Sequence, residues 1–308
     1  MISVLMATWN GEKYLSKQLD SLFAQSIRDF HIYISDDCST DSTCSIVEEY
    51  RQRYPGRIEL IRRSQNSGSA KHNFFSLMTR CKDDYVMLCD QDDFWLPDKI
   101  AVTLDTIRRM EAQYGSRAPL LVHTDVTVTD QNLRVLYPSY RQIMSSKFAR
   151  TSLNYALVQN TFPGCACMYN RALSELIMRE PDYCVMHDWW LMLIAAAFGH
   201  IGFTFERTAL YRQHGDNSIG ARDMRTFSYK FQRLLRADKI RHAIDITYAQ
   251  AKNFLDMYRS RLSAEQVSLI EAYCHIPTLS KWRRIQALLH LNTLKNTLAR
   301  RIGHFLFV

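Results

Sequence analysis

Apolar and polar positions alternate in blocks along the first 130 residues. Ile2 to Ala7 is a short apolar run, read as a strand, and Thr8-Trp9-Asn10-Gly11 is its exit loop. Tyr14, Leu15, Leu19, Leu22 and Phe23 then recur at helical spacing. A second strand, Phe30 to Ser35, ends in Asp36-Asp37-Cys38-Ser39-Thr40-Asp41. Ser39 or Thr40 is placed to cap the helix that carries Ile46, Val47 and Tyr50. Arg57 to Arg62 reads as a third strand, Asn66-Ser67-Gly68-Ser69 as a turn, and Lys71, His72 and Asn73 as the opening of a helix. Tyr85 to Cys89 is a fourth strand, too short and too apolar for anything but a buried one. Strand–helix alternation of this kind gives an α/β fold: a mostly parallel sheet flanked by helices.

After Pro97 a helix is expected to about Tyr114, then a strand from Leu120 to Thr129, then less regular chain from Asn132 to Ser152. Phe162-Pro163-Gly164-Cys165-Ala166-Cys167-Met168 sets small residues between a loop and a strand, and Gly164 permits close approach of backbone to a ligand. His187-Asp188-Trp189-Trp190 opens an apolar helix that Gly199 ends. Ile201–Phe205 and Ala209–Tyr211 read as two strands. From Ala221 onward the pattern is helical, closing with one amphipathic helix from Ser280 to Phe307.

Charge sharpens this division. Residues 1–220 hold 23 Lys and Arg against 25 Asp and Glu, a balance of −2, while residues 221–308 hold 16 against 6, a balance of +10. Two regions are therefore expected: 1–220 as the α/β domain and 221–308 as a basic helical extension. The closing helix has six Lys or Arg and no acid, the composition of a helix that lies in an anionic membrane interface or packs with a solvated basic face. No apolar run reaches the length of a membrane span. The opening residues lack a basic n-region and read as a strand, not a signal peptide. The eight cysteines have no Cys-x-x-Cys pair, so buried reduced thiols are expected.

The chemistry gathers at strand ends. Asp90, Asp92 and Asp93 follow the fourth strand at once. Clustered carboxylates repel unless a cation or donors lie between them, and hard oxygen ligands suit Mg²⁺ or Mn²⁺. Thr8 and Asn10, Asp36 and Asp37, and Asn66, Lys71 and Asn73 occupy the other strand exits on the same edge, where open α/β sheets bind ligands.

These motifs resemble family-2 inverting glycosyltransferases of the GT-A fold. The resemblance lies in Val4–Gly11, Ser35–Asp41, Asn66-Ser67-Gly68, Asp90-Gln91-Asp92-Asp93 and His187-Asp188, in order and spacing, and covers residues 1 to about 220. Cys89–Pro97, Met186–Trp189 and Tyr211-Arg212-Gln213-His214 are similar to rhamnosyltransferases that use dTDP-L-rhamnose to build bacterial cell-wall polysaccharides. The resemblance implies that Thr8, Asn10, Glu12, Asp36, Asp37, Lys71, Asn73, Asp90 and Gly164 bind the nucleotide-sugar donor. It implies Asp90, Asp92 and His214 as metal ligands, Asp93 as a support of that loop and Asp188 as the general base. It also implies a lipid-linked glycan acceptor and a cytoplasmic enzyme, peripheral on the inner face of the cell membrane, with a homo-oligomer possible. Two positions depart from the family: Cys38 stands where Gly is usual, and Lys71 where Arg is common.

Other functions fit less well. The same fold and mechanism with a UDP-hexose donor is the nearest alternative. A nicotinamide-dependent dehydrogenase would carry Gly-x-Gly-x-x-Gly after the first strand, and Thr8-Trp9-Asn10-Gly11-Glu12 lacks it. A nucleic-acid partner is suggested only by the basic tail, whose aromatic residues fall on apolar positions. An inactive scaffold would have no use for Asp90, Asp92 and Asp188 together.

Overall fold

β1 (Ile2–Thr8), β2 (His31–Asp36), β3 (Ile58–Arg62) and β4 (Tyr85–Asp90) run parallel in the order β3-β2-β1-β4. The structure, a computed structural model, describes residues 1–145, 147–215 and 237–308. α1 (Glu12–Phe23), α2 (Thr43–Arg53) and α3 (Ala70–Met78) are the crossovers between these strands. β1 is buried on both faces over most of its length, which is why its sequence is a continuous apolar run. The α1 face bearing Tyr14, Leu15, Leu19 and Leu22 is buried, as its spacing requires.

The sheet continues beyond β4 with β5 (Phe94–Trp95), α4 (Lys99–Tyr114), β6 (Leu120–Thr129), β7 (Val135–Tyr137), α5 (Tyr140–Met144), α6 (Leu153–Ala156), β8 (Cys167–Asn170), α7 (Arg171–Ser174), α8 (His187–Phe198) and β9 (His200–Arg212) following in the chain. Among the described residues nine strands form one sheet, ordered β3-β2-β1-β4-β8-β6-β9-β5, with β7 on β6. β8 is antiparallel to both neighbours, and β5 is antiparallel to β9. The two strands expected between Ile201 and Tyr211 are one, β9, whose pairing with β6 shifts register twice instead of breaking. Its core includes Val4, Met6, Leu15, Ile32, Met87, Ile107, Val122 and Met168.

The described residues divide into two compact units. The first holds Met1–Tyr140, Phe162–Glu180 and the chain from His200 through β9, and so the whole sheet. The second holds Arg141–Thr161, Pro181–Gly199 and the C-terminal helices α9 (Ala237–Tyr258), α10 (Ala264–His275), α11 (Lys281–His290) and α12 (Leu298–Phe307). Within it, Trp190 of α8 packs edge-on against Phe254 of α9, and Gln266 of α10 donates to the Ala197 carbonyl. The expected boundary near residue 220, and the helical pattern assigned to residues 221–236, lie outside the described residues.

The closing helix from Ser280 to Phe307 is two helices. α11 ends at His290 with Leu291 as its C-cap, and Asn292 after it takes a left-handed φ of 52°. Asn292 N–H donates to the Leu289 carbonyl and Thr293 N–H to the Leu288 carbonyl, both at 3.1 Å. That pair of bonds is a Schellman terminator. Thr297 then caps α12 by accepting from the Arg300 N–H. α2 also starts later than expected: its N-cap is Ser42, while Ser39 Oγ donates to Asp36. All eight cysteines are free.

Candidate active site

The order β3-β2-β1-β4 reverses direction beside β1, so the carboxyl ends of β1 and β4 flank the point where open α/β sheets bind ligands. Register places Ala7 beside Asp90 and Thr8 beside Asp36 on that edge.

Asp36 and Asp37 are both buried and both hold turns. Asp36 accepts from Thr8 Oγ1 at 3.0 Å and from Ser39 through N–H and Oγ at 2.9 and 2.6 Å. Asp37 accepts from the Ser67 N–H at 2.8 Å and Ser67 Oγ at 2.7 Å, and Arg63 Nε lies 3.2 Å away. The exits of β2 and β3 are thereby tied together. Cys38, between them, has φ 62°. The turn takes the left-handed conformation, which costs a non-glycine residue about 1–2 kcal/mol. Asn10 also has positive φ, at 45°, and its Oδ1 accepts from the Thr40 N–H at 2.9 Å. Glu12 accepts from the Ser42 N–H, and Asp41 accepts from Glu12 N–H and from Thr43. Burial raises the Asp41 carboxyl, but the bonds from Thr43 and Glu12 outweigh it and hold it below its ordinary value. Asn73 is buried, donating to the Ser35 carbonyl at 2.8 Å, while Lys71 sits in the capped first turn of α3.

The loop after β4 is locked from three directions. Gln91 makes a reciprocal pair with Trp9: its Oε1 accepts from the Trp9 N–H and its Nε2 donates to the Trp9 carbonyl, both at 2.9 Å. Arg212, at the end of β9, is buried. Its Nε donates to the Asp92 carbonyl at 2.5 Å, its Nη1 to the Gln131 carbonyl at 2.6 Å, and its N–H to Asp93 Oδ1 at 3.1 Å. Its guanidinium lies 4.6 Å from the Tyr14 ring centroid. His214 packs on the same ring and brings Nε2 to 2.6 Å from Asp92 Oδ2.

Carboxylates converge here as the sequence implied, in a different grouping. Asp90, Asp93 and Cys165 offer ligand atoms within 4.8 Å of one another, whereas Asp92 is engaged with His214. Gly164 begins the buried 3-10 turn Gly164–Ala166 that delivers Cys165. Asp93 is buried and its Oδ2 has no hydrogen-bond partner. Burial, and then the charge of Asp92, push its carboxyl up to about 7. The Cys165 thiol is raised well above its ordinary range by burial and by Asp93 and Asp90, so it remains a protonated, poor ligand. The donor set therefore fits a hard divalent cation on carboxylate oxygens, Mg²⁺ or Mn²⁺, better than a soft one. Beneath it Lys99 is fully buried, donating to Thr208 Oγ1 at 3.1 Å.

Asp188 belongs to the second unit. The helix N-cap is Met186, so Asp188 lies inside the first turn of α8, where a negative charge is favoured. It is 8% exposed, and its Oδ1 accepts from the Trp189 N–H at 2.7 Å. Trp189 Nε1 donates to the Ala156 carbonyl, fixing the helix start. His187 is buried, which depresses its imidazole to about 3.

Gln91, Arg212 and Cys165 had no assigned role in the sequence. Gln91 and Cys165 lay within segments the sequence singled out, and Arg212 left a signal of its own, a charge directly after an apolar strand and two residues before His214.

A family model described as glycosyl transferase family 2 matches residues 3–177. The dTDP-rhamnosyl transferase RfbG of Shigella flexneri is 32% identical over 245 residues, 74% of this chain and 78% of that one. Among solved structures, S. aureus TarS 1-349 in complex with UDP aligns with a TM-score of 0.60 at 16% identity, covering 99% of this chain and 86% of that one. The mannosyltransferase PcManGT from Pyrobaculum calidifontis, in complex with GDP-Man and Mn²⁺, aligns with a TM-score of 0.53 at 16% identity, covering 98% and 77%. The fold is the GT-A fold of these glycosyltransferases.

Proposed function

Because the chain belongs to glycosyl transferase family 2 and is a glycosyltransferase, we propose that it transfers L-rhamnose from dTDP-L-rhamnose, with inversion, to a lipid-linked surface-polysaccharide acceptor. The observation that carries this reading is the convergence of Thr8, Asp36–Asp37 and Asp90–Asp93 on one edge of β1, β2 and β4. The choice of sugar follows the likeness to RfbG.

In this reading the nucleoside lies along the Asn10, Asp36 and Asp37 turns, with Lys71 toward the diphosphate. Asp90 and Asp93 hold Mg²⁺ or Mn²⁺, with Asp92 and His214 beside them. When bound, such an ion offsets the charge of the departing nucleoside diphosphate. Gln91 and Arg212 keep the carboxylate loop in register with β1, so that little reorganisation is needed when donor arrives. Asp188 accepts the proton of the acceptor hydroxyl as its oxygen attacks the anomeric carbon from the face opposite the nucleotide. The donor is soluble and the acceptor membrane-held, which places the enzyme at the inner face of the cell membrane. The basic C-terminal helices are its contact there.

A donor panel tests this. Nucleotide release is measured with dTDP-L-rhamnose, UDP-glucose, UDP-galactose and UDP-N-acetylglucosamine. Turnover confined to dTDP-L-rhamnose is expected. Preferential turnover of a UDP-hexose would replace the donor while keeping the mechanism.

A further inference from the structure

In the second unit a cavity of about 450 Å³ opens among α9, α11, α12 and the 3-10 turn Ile276–Thr278. Its wall carries Arg241, Lys281 and Arg284, the Asp245 side chain and the backbone oxygens of Val308, with Tyr248 and Leu306 beside them. Two of the cations are fixed in place. Lys281 Nζ donates to the carbonyls of Leu306 and Val308 at 2.5 and 3.0 Å. Arg284 donates to the carbonyls of Leu279 and Pro277 at 2.7 and 2.5 Å. A guanidinium has five donors, and these bonds use two. Arg241 is tied more loosely, to the exposed Asp238 at 3.5 Å and over the Phe307 ring at 5.9 Å. Burial, followed by Arg284 and Arg241, holds the Lys281 ammonium below its ordinary value. Positive charge is thus in excess inside the cavity.

Leu306 connects the cavity to a second feature. Leu298, Ile302 and Leu306 fall at i, i+4 and i+8 of α12 and are 73%, 48% and 56% exposed. That is an apolar stripe left open on one helix face. Trp282, next to Lys281 in the chain, is 77% exposed.

We propose that this cavity takes the phosphate of an anionic membrane lipid, with the Leu298–Ile302–Leu306 stripe lying in the boundary between headgroups and acyl chains. The fixed, planar guanidinium of Arg284 matches phosphate oxygens, with Lys281 and Arg241 adding charge beside it. Interfacial helices combine basic side chains with an open apolar face, and both signals meet at Leu306. A soluble phosphate would account for the cations and leave the stripe without a purpose. The inference rests on the membrane-facing part of the reading above and is independent of which sugar is transferred.

The test is sedimentation of the full chain with vesicles of phosphatidylglycerol and phosphatidylcholine, compared with phosphatidylcholine alone. Binding confined to the anionic vesicles is expected. Arg241→Gln, whose partners are peripheral, should weaken partitioning about fivefold, the value of one cation at an anionic surface. Ile302→Ser should weaken it too, and inorganic phosphate should compete with the vesicles. Donor binding, read by nucleotide titration, should stay at the wild-type level in both variants and show that they are folded. Wild-type partitioning in both variants would overturn the cavity and leave the membrane reading standing. A full chain that ignores anionic vesicles would overturn both. Quenching of Trp282 fluorescence by inorganic phosphate without vesicle binding would make this a soluble-anion site and overturn the lipid assignment.

Discussion

A Cβ on Gly11 would lie 2.4 Å from Gln91 Oε1 and 2.6 Å from Gln91 Cδ. The glycine opens the space through which Gln91 clasps the Trp9 backbone, and this sets the β4 loop against the β1 exit. Gly11 has an ordinary negative φ, so alanine there is a steric change rather than a backbone one. Gly11→Ala should expel Gln91 at a stability cost of about 1 kcal/mol. It should lower kcat/KM by up to about 10²-fold through displacement of the carboxylates. Gln91→Ala should reproduce much of that loss, and the double variant should be little worse than either single one. Full activity in Gly11→Ala would show that the clasp does not position the loop.

Divalent-metal dependence should carry the imprint of Asp93. Its carboxyl must be ionised to serve as a ligand, and burial with Asp92 holds it near neutrality. Affinity for Mn²⁺, measured by calorimetry, should weaken as pH falls from about 8 to about 6, and Asp93→Asn should remove most of that slope. Chelator should abolish turnover and added Mn²⁺ or Mg²⁺ restore it. Equal affinity across the range would remove Asp93 from the ligand set.

Asp188→Asn should leave nucleotide binding near wild type while lowering kcat by about 10²–10⁴-fold, the span of general-base catalysis. Loss of nucleotide binding instead would put this carboxylate among the donor contacts.

Cys38 holds a conformation that glycine adopts freely. Cys38→Gly should therefore raise stability by up to roughly 1 kcal/mol, less what is lost with the 3.2 Å contact from Cys38 Sγ to the Arg63 carbonyl. Denaturant midpoints decide it, and a lowered midpoint would mean that the thiol contact outweighs backbone strain.

Acid should destabilise the fold through its buried histidines. Burial depresses His123 and His187 to about 3 from an ordinary 6.5. The unfolded chain binds more protons between those values, so this stability is complete above about 6.5 and is lost as pH falls toward 3. Asp93 works the other way in part of that window, because its raised carboxyl binds a proton more readily folded than unfolded. Unfolding midpoints should still fall below pH 6, and replacing His123 with Phe, which suits its stack on Phe162, should flatten the profile.

The strand ends were legible because each apolar run stops at a polar residue, and Asp90 stands at the edge its position predicts. Local bonding at those ends was not: nothing in Asp36-Asp37 announces that Ser39 and Ser67 already occupy the two carboxylates. Long-range arrivals were hidden as well. Cys165 reaches Asp93 because the segment before β8 turns into the sheet, and Arg212 reaches Asp92 from 120 residues away. Helical periodicity ran straight through Asn292 because Leu288, Leu294 and Leu298 continue it. The terminator is written in a left-handed asparagine and a capping threonine, which a hydrophobic pattern does not register.

That asparagine turn sets the reach of the C-terminal helices. With ten residues each, α11 and α12 are about 15 Å long, half the roughly 30 Å depth of a bilayer's hydrocarbon. An unbroken helix from Ser280 to Phe307 would be long enough to cross. Cut in two, neither rod spans that depth, so the membrane contact proposed for them would be interfacial and reversible, which would let the protein leave one acceptor and land on another.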